Sequence, residues 1–536
     1  TEYNLDRREN ILMQSRAVMQ RVFTLAFVYN IEKDKKYLDR AMKEMEAAAE
    51  YPNWTPIAFL ATAEMMHAFA VGYDWLYHDL TTEQRELLIN AMMEKGVAPL
   101  IHNYEGQLTG GTNWVKTTNN WNPVCNASAI IAALGLVADV YPNVAEYDTP
   151  GVAETADYCV YYNGPVASFN FGDAGSGKAS TPIMYWFAEK YNKPQYAWYQ
   201  KTLEKENART LSGMSGVLAI IWHDHKNAQL TPGAFGLDKA FNTKGKHNGL
   251  VLRSSWENPN AIYAALQGGY NADNHMYLSL GTLLLEANGA RWINMRGIGD
   301  YNLPGYFSNT SKPESPRWTY YLARAEGQNT IIANPGMLSD QNPTAQADVI
   351  AIESAQNESF GVLNMTQKNA DFADAKRGLY LHNNRSKVLM QDEIKTKKPS
   401  EIWWFAHTGA DITISDDGKS AMLTIGIGTA SEKRMWVNIA AVPHEAKLIV
   451  IDAAPLPTSP NPSVQALNFG HKLAINLKDV TDLTLAVEFI PLAKGEAPPT
   501  EKTIIKPIKD WKVKQEEPAL SLKLGDVVAL KIDSHN

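Results

Sequence analysis

The stretch Asn274-His275-Met276-Tyr277-Leu278-Ser279-Leu280-Gly281, followed by Arg291-Trp292 and by Gly299-Asp300-Tyr301-Asn302-Leu303-Pro304-Gly305-Tyr306-Phe307, separates two halves of different periodicity. Before it, apolar residues recur at helical spacing; after it, short β-prone runs alternate with turn residues. It sets a histidine, an asparagine and tyrosines at the head of the strand-rich half, so chemistry is expected near this junction.

Toward the N-terminus, Ile11, Val18, Val22, Leu25 and Val28 predict a helix over Arg8 to Tyr29, and Tyr37 to Tyr51 predicts a second after a charged turn. Thr55 followed by Pro56 has the form of an N-cap with proline at the first helical position, and Gly72 that of a stop. Thr81 with Gln84 makes a capping box ahead of Leu87, Leu88, Ala91 and Met92, and Gly96 is the expected end of that helix. An apolar helix is expected over Ala127 to Val140. Between about His223 and Gly249 the composition turns to Pro, Gly, Asn and Lys, as a linker would.

Toward the C-terminus, strands are expected at Val251 to Arg253, Ala261 to Leu266, Thr282 to Leu285, Gly378 to Leu381, Val388 to Gln391, Lys447 to Ile451, Leu483 to Ile490 and Val527 to Ile532. Asp416-Asp417-Gly418, between Ile412-Thr413-Ile414 and Met422-Leu423-Thr424-Ile425, predicts a hairpin. Helices first and strands second imply a multidomain chain, with a helical domain over 1–235 and an antiparallel β-sandwich over 236–536.

With 536 residues, 45% of them hydrophobic and 20% charged, the chain buries large cores. A net charge of −8 argues against a nucleic-acid partner but not against an acidic glycan, for which a local cationic cleft matters more than the total. The Val217 to Trp222 run is too short to span a membrane. Cys125 and Cys159 fit neither a disulfide framework nor a zinc cluster and are expected as small buried residues. No signal-peptide pattern opens the chain, which starts at Thr1 inside a helical stretch, as expected after processing or truncation.

Several motifs together resemble the heparinase II/III-like polysaccharide lyases, which join an α/α toroid to an antiparallel β-sandwich. They are Gly72-Tyr73-Asp74-Trp75-Leu76-Tyr77, Asn119-Asn120-Trp121-Asn122-Pro123-Val124-Cys125-Asn126, Arg253-Ser254-Ser255-Trp256, the Tyr301 to Phe307 run, Arg324-Ala325-Glu326-Gly327, and Gln391-Asp392-Glu393-Ile394 leading into Trp403-Trp404-Phe405. The resemblance implies an incomplete toroid followed by a sandwich, β-elimination on a uronate-containing glycan, export to the periplasm or medium, and a possible homodimer. Such a reaction needs a neutraliser for the carboxylate, a base for the C5 proton and an acid for the C4 oxygen. By resemblance Asn120 is the neutraliser, with Asn122 second, and His275 the base; an unperturbed histidine titrates near pH 6.5 and needs no metal. Either Tyr301, the first choice, or Tyr306 stands in as the acid, and Trp121, Asn122, Arg253, Asn302, Tyr306 and Arg324 contact substrate. The alternatives are that the asparagines cap a helix, that the tyrosines pack a Pro-Gly turn, and that the arginines form second-layer ion pairs.

The chain also departs from the family. After Val140 it runs directly into Tyr141-Pro142-Asn143-Val144-Ala145-Glu146-Tyr147-Asp148-Thr149-Pro150-Gly151, without the further stretch in which relatives carry a catalytic tyrosine. Tyr147, Tyr158, Tyr161 and Tyr162 are the substitutes on offer beside Tyr301. The family's zinc positions read Tyr277, Met295 and Gln328, and Ser279 replaces an acidic residue; zinc favours His, Cys and carboxylate ligands, so no metal and no cofactor is expected. His223-Asp224-His225 lacks an evident third ligand, and His407 is expected in a core. The first functional reading is a zinc-independent lyase. The second is a noncatalytic glycan-binding or scaffold relative, favoured by the missing stretch and ligands. A glycoside hydrolase would need two carboxylates across a cleft, for which Glu64, Asp74, Asp173 and Asp300 are available.

Overall fold

The apolar repeat from Arg8 forms α1 (Arg8–Glu32), and the charged turn hands over to α2 (Lys35–Ala49), whose start Asp34 caps by accepting from the Lys36 amide at 3.0 Å. The computed structural model describes residues 8–57, 59–107, 114–117, 120–137, 152–178, 180–206, 213–223, 231, 236–273, 275–294, 297–441, 446–466 and 470–513. The chain divides into two units, 1–160 with 179–235 and 161–178 with 236–536. The first is helical, continuing through α3 (Leu60–Leu76), α4 (Thr82–Met92), α5 (Ala98–Tyr104), α6 (Trp121–Val137), α7 (Val152–Tyr161), α8 (Ile183–Lys190), α9 (Pro194–Glu206) and α10 (Gly213–Trp222). Among the described residues no helix is long and apolar enough to cross a membrane.

The Thr81 capping box forms: its hydroxyl accepts from the Gln84 amide at 3.2 Å and the Gln84 side chain accepts from the Thr81 amide at 3.0 Å. The expected glycine stops do not. Gly72 lies inside α3, where a Cβ would sit 2.5 Å from Met45 Sδ and 2.9 Å from Val22 Cγ1. Gly96 lies in a wide helical turn leading into α5, where a Cβ would sit 2.5 Å from Met66 Cγ. Both let helices approach closely. The Thr55 cap is also displaced: α3 begins at Leu60, after Phe59 adopts a φ of 54° and buries its ring against Trp114 at 4.9 Å.

The second unit contains two antiparallel sheets, with strands β1 (Ala240–Thr243), β2 (Gly249–Arg253), β3 (Tyr263–Gln267), β4 (Gly269–Tyr270), β5 (Leu283–Ala287), β6 (Ala290–Ile293), β7 (Ile331–Ala333), β8 (Gln346–Ser354), β9 (Ser359–Asn364), β10 (Phe372–His382), β11 (Lys387–Thr408), β12 (Asp411–Ile414), β13 (Ser420–Ile425), β14 (Lys433–Ala441), β15 (Ile449–Asp452) and β16 (His471–Leu492). The smaller runs β1-β2-β3-β5-β6; the larger runs β12-β13-β14-β16-β11-β10-β9-β8-β4, with β15 on β16 and β7 on β11. Thus strands begin at Ala240, within the stretch expected as linker. β12 and β13 form the hairpin expected around Asp416-Asp417-Gly418. In β11 the register shifts between Lys395 and Ser400, around Pro399, which has no amide to donate. Alternating residues of both sheets, among them Leu252, Leu266, Leu285, Leu379, Met390 and Leu473, share one core; each such side chain contributes about 1.5–3 kcal/mol by leaving water. The strand expected at Val527 to Ile532 lies outside the described residues.

Replacing a mid-helix glycine with alanine ordinarily stabilises by about 1 kcal/mol. At Gly72 the sign is expected to reverse, because Val22 is branched and hemmed in and overpacking costs about 1–3 kcal/mol. Urea unfolding of Gly72→Ala should show a lower midpoint; a raised one would mean that Met45 and Val22 make room.

Candidate functional site

In the sheet unit, strand pairing builds the first support of the site. Glu286 and Arg291 stand opposite each other on β5 and β6, and Arg291 donates to Glu286 at 2.7 and 2.9 Å. Glu286 also accepts from the amides of Val166 and Ala167 at 2.9 and 3.1 Å, while Arg291 reaches Asn170 Oδ1 at 2.8 Å and the Ser168 carbonyl at 2.5 Å. Burial pushes the Glu286 carboxyl up, and Arg291 and the amides oppose it. The loop over 163–174 is thereby fastened to the sheet.

That loop delivers Asp173 to His275. The Asp173 amide donates to the His275 carbonyl at 3.1 Å, and the Asp173 carboxylate meets His275 Nδ1 at 2.8 Å. Gly172, at a φ of 60°, passes so close that a Cβ would lie 2.6 Å from the His275 carbonyl oxygen. His275 itself has a φ of 65°, a left-handed conformation that costs a non-glycine residue about 1–3 kcal/mol and recurs at functional sites. Asp173 is nearly covered, with its side chain 7% exposed, whereas that of His275 is 38% exposed. A carboxylate only accepts, so with Nδ1–H donating to Asp173 the Nε2 atom is left as the ring's acceptor.

The Tyr301 to Phe307 turn forms one wall. Asp300 Oδ1 accepts from the Asn302 amide at 2.9 Å and its side chain at 3.0 Å, closing an Asx turn. The Tyr301 and Phe307 rings stand 5.6 and 5.5 Å from the His275 ring, and both are open to solvent, at 42% and 47%. The Tyr301 hydroxyl lies 3.3 Å from His275 Nδ1 and shares the Asp173 carboxylate with it. Burial, then Asp173, pushes the Tyr301 phenol up to about 12, so it is a neutral proton donor near pH 7. Tyr306, expected against substrate, is only 2% exposed; its hydroxyl contacts that of Tyr277 at 3.3 Å beneath Tyr301. Arg317 clamps the two segments, donating to the Met276 carbonyl at 2.8 Å and the Tyr306 carbonyl at 3.1 Å, with its guanidinium 4.3 Å from the Tyr306 ring centre.

The other expected residues fall elsewhere. Arg253 and Arg324 are buried and do not offer their charge to a ligand. Arg253 donates to the Asn163 carbonyl at 2.7 Å and stacks 3.6 Å from Trp256. Arg324 donates to the carbonyls of Trp318, Leu338 and Gly336 at 2.8, 3.0 and 3.0 Å and pairs with Glu326 at 3.1 Å. Asn302 is exposed in its turn. In the helical unit, Asn120 is exposed just before α6, and Trp121 packs partly buried against the helical core. Asn122 donates to the carbonyls of Trp114 and Val115 at 3.2 and 3.0 Å, the structural alternative to neutralising a carboxylate. Asn119, Asn274, Met295, Tyr147, Asp224 and His225 lie outside the described residues.

Tyr277 donates to the Gly297 carbonyl at 3.0 Å and Gln328 to that of Leu322 at 2.6 Å, a donor set that does not fit zinc. Among the described residues no group of three or more His, Cys, Asp and Glu is arranged to hold a metal. His407 is buried between Asn329 Oδ1 at 3.0 Å and the Tyr321 hydroxyl at 2.7 Å, the packed role expected of it. Of the carboxylates considered for hydrolysis, Glu64 pairs with Arg16 at 2.9 Å, and Asp173 and Asp300 are engaged as described. Sequence reasoning did not single out Asp173 as the partner of His275, nor Phe307 and Arg317; Gly172 beside Asp173 was the only local signal.

Among solved structures the chain is similar to a heparinase III, at 12% identity and a TM-score of 0.56 over 91% of this chain and 80% of the other. The heparan sulfate lyase HepC from Pedobacter heparinus matches at 11% identity and 0.52 over 93% and 79%. A further heparinase III crystal structure matches at 12% and 0.51 over 90% and 69%. The fold is heparinase-like. At these identities the likeness is one of fold, helices first and antiparallel sheets second. No family model and no curated protein matches the chain.

Removing the Arg324 guanidinium leaves Glu326, with Asp340 beside it, buried without its ion-pair partner and with Lys472 as its remaining nearby cation; Arg324→Met is expected to cost about 3–5 kcal/mol in chemical unfolding. The folded chain keeps a Tyr301 proton that the unfolded chain releases near 10, so this group's stabilisation is complete below pH 10 and is lost as pH rises through about 12. Phenolate absorbance of the parent minus Tyr301→Phe should therefore step near 12; a step at 10 would contradict the environment described.

Proposed function

We propose that this protein is a zinc-independent polysaccharide lyase that cleaves an acidic, uronate-containing glycan by β-elimination. The observation that carries the reading is the Asp173–His275–Tyr301 cluster, in which a carboxylate orients an accessible imidazole beside a neutral phenol. His275 Nε2 takes the C5 proton, the C5–H electrons form the C4–C5 double bond, and the C4–O bond breaks toward the leaving sugar. Tyr301 gives its proton to that oxygen. Asp173 holds the Nδ1 tautomer and stabilises the imidazolium that forms. By the family resemblance Asn120 is assigned to the uronate carboxylate and Trp121 to the sugars, which Asn302 and Phe307, beside His275, also contact. The helical unit is an incomplete α/α toroid and the sheet unit a β-sandwich, divided near 235/236 except that 161–178 goes to the sheet unit. The neighbours' names, heparinase III and heparan sulfate lyase, support a glycosaminoglycan as substrate.

The test follows ultraviolet absorbance of the unsaturated uronate product over a panel of acidic polysaccharides, with and without chelator. Activity that survives chelator is expected to fall by about 10²–10⁴-fold in His275→Ala and in Tyr301→Phe. Asp173→Asn should lower kcat while leaving KM nearly unchanged, since it acts on the imidazole and not on the sugar. No product from any glycan, with binding still measurable, would favour the noncatalytic relative.

A further inference from the structure

On the outer face of the large sheet, away from the core shared with the small one, a cavity of about 680 Å³ opens between β10, β11 and the segment 493–513. It shares no residue with the His275 site. Strand alternation supplies its floor: Leu379, Leu381, Val388 and Met390 point into the shared core, so Tyr380, His382, Lys387 and Leu389 point the other way. Trp511 completes the floor, lodged where Gly378 lacks a side chain; a Cβ there would lie 2.5 Å from the indole. The Tyr380 and Trp511 rings are 5.2 Å apart.

The wall is rigid. Thr503 donates to Glu488 at 2.5 Å, Gln391 to the Lys506 carbonyl at 2.9 Å, the Ile508 amide to Glu393 at 2.7 Å and the Val513 amide to Glu353 at 3.3 Å. Four ammonium groups line the cavity, those of Lys387, Lys502, Lys506 and Lys512, and none makes an ion pair or side-chain hydrogen bond among the described residues. Three carboxylates face them. Glu358 accepts from the Tyr380 hydroxyl at 2.8 Å; Glu501 and Asp510 are unpaired among the described residues.

We infer that this cavity is a second binding site, for an anionic oligosaccharide. Glu353, Glu393 and Glu488 behind the wall and Glu358 beside Tyr380 are taken up by hydrogen bonds, and the four ammoniums without an ion pair outnumber the two unengaged carboxylates, Glu501 and Asp510, which favours an anion. A bare inorganic anion has no use for an aromatic floor or for unpaired carboxylates. A sugar acid uses all three: its acid group meets the ammoniums, its hydroxyls donate to Glu501 and Asp510, and a ring face lies on Tyr380. The volume lies within the range of about 300–1,000 Å³ usual for preformed small-ligand sites. That the ligand is a segment of the glycan cleaved at His275 rests on the proposed function; the pocket's chemistry does not.

Calorimetric titration of the full chain with tetrasaccharides of hyaluronan, chondroitin sulfate and heparan sulfate tests this, in a His275→Ala background to prevent turnover. At least one should bind at two sites per chain. Adding Lys387→Ala with Lys506→Ala should weaken one site about tenfold or more and leave the other intact, with thermal unfolding unchanged. A single site indifferent to the lysine pair overturns the inference, as does no binding at all, or full displacement by inorganic sulfate. If no glycan is cleaved but the lysine-dependent site persists, the lyase reading fails and the second site stands. Cleavage with lysine-independent binding gives the reverse.

Discussion

Irregular backbone inside the sheet unit has carbonyls that no strand partner reaches, and buried arginines satisfy them. Arg253, Arg317, Arg324, Arg377 and Arg385 are all buried, and each donates to backbone carbonyls outside its own segment. A guanidinium suits this task because it carries five donors in a plane and stays charged when dehydrated. Arg377 shows the principle most fully: it faces Asp392 across β10 and β11, grips that carboxylate with two bonds of 2.7 Å, and turns its remaining donors to the Gly281 and Asn329 carbonyls. Loops held in this way can carry a site whose parts must not drift.

The His275 region depends on two such supports. Arg317 ties the Met276 backbone to the Tyr306 backbone, so the histidine and the aromatic turn move as one piece. Glu286 with Arg291 fastens the loop that brings Asp173, and Gly172 permits the close crossing that aligns carboxylate and imidazole. The left-handed backbone of His275 persists because contacts on both sides over-determine it. The strain holds an open imidazole ring against a nearly covered carboxylate.

Hydrogen bonding also explains why the charged residues of greatest apparent promise are not ligand contacts. Arg253 and Arg324 sit in motifs that resemble lyases, but within motifs the fold and the chemistry make separate demands. The arginines answer the first. Under the proposed function, chemistry is left to His275 and Tyr301, with Phe307 beside them, whose side chains reach solvent while Asp173, their partner, is nearly covered.

The sequence by itself determined whatever depends on neighbours within a few residues. Helical spacing placed α1, α2 and α6, Thr81 and Gln84 declared their capping box, and Asp416-Asp417-Gly418 declared its hairpin, because those hydrogen bonds close locally. The histidine and the Tyr301 turn were legible as candidates by resemblance. Tertiary structure alone decided what depends on distant partners. Gly72 and Gly96 look like helix stops until Met45 and Met66 are seen against them. Asp173 lies 102 positions from His275, and no periodicity links the two. Whether a buried arginine meets a glycan or a carbonyl is likewise settled by packing, since a desolvated guanidinium is costly unless acceptors within the fold take up most of its donors.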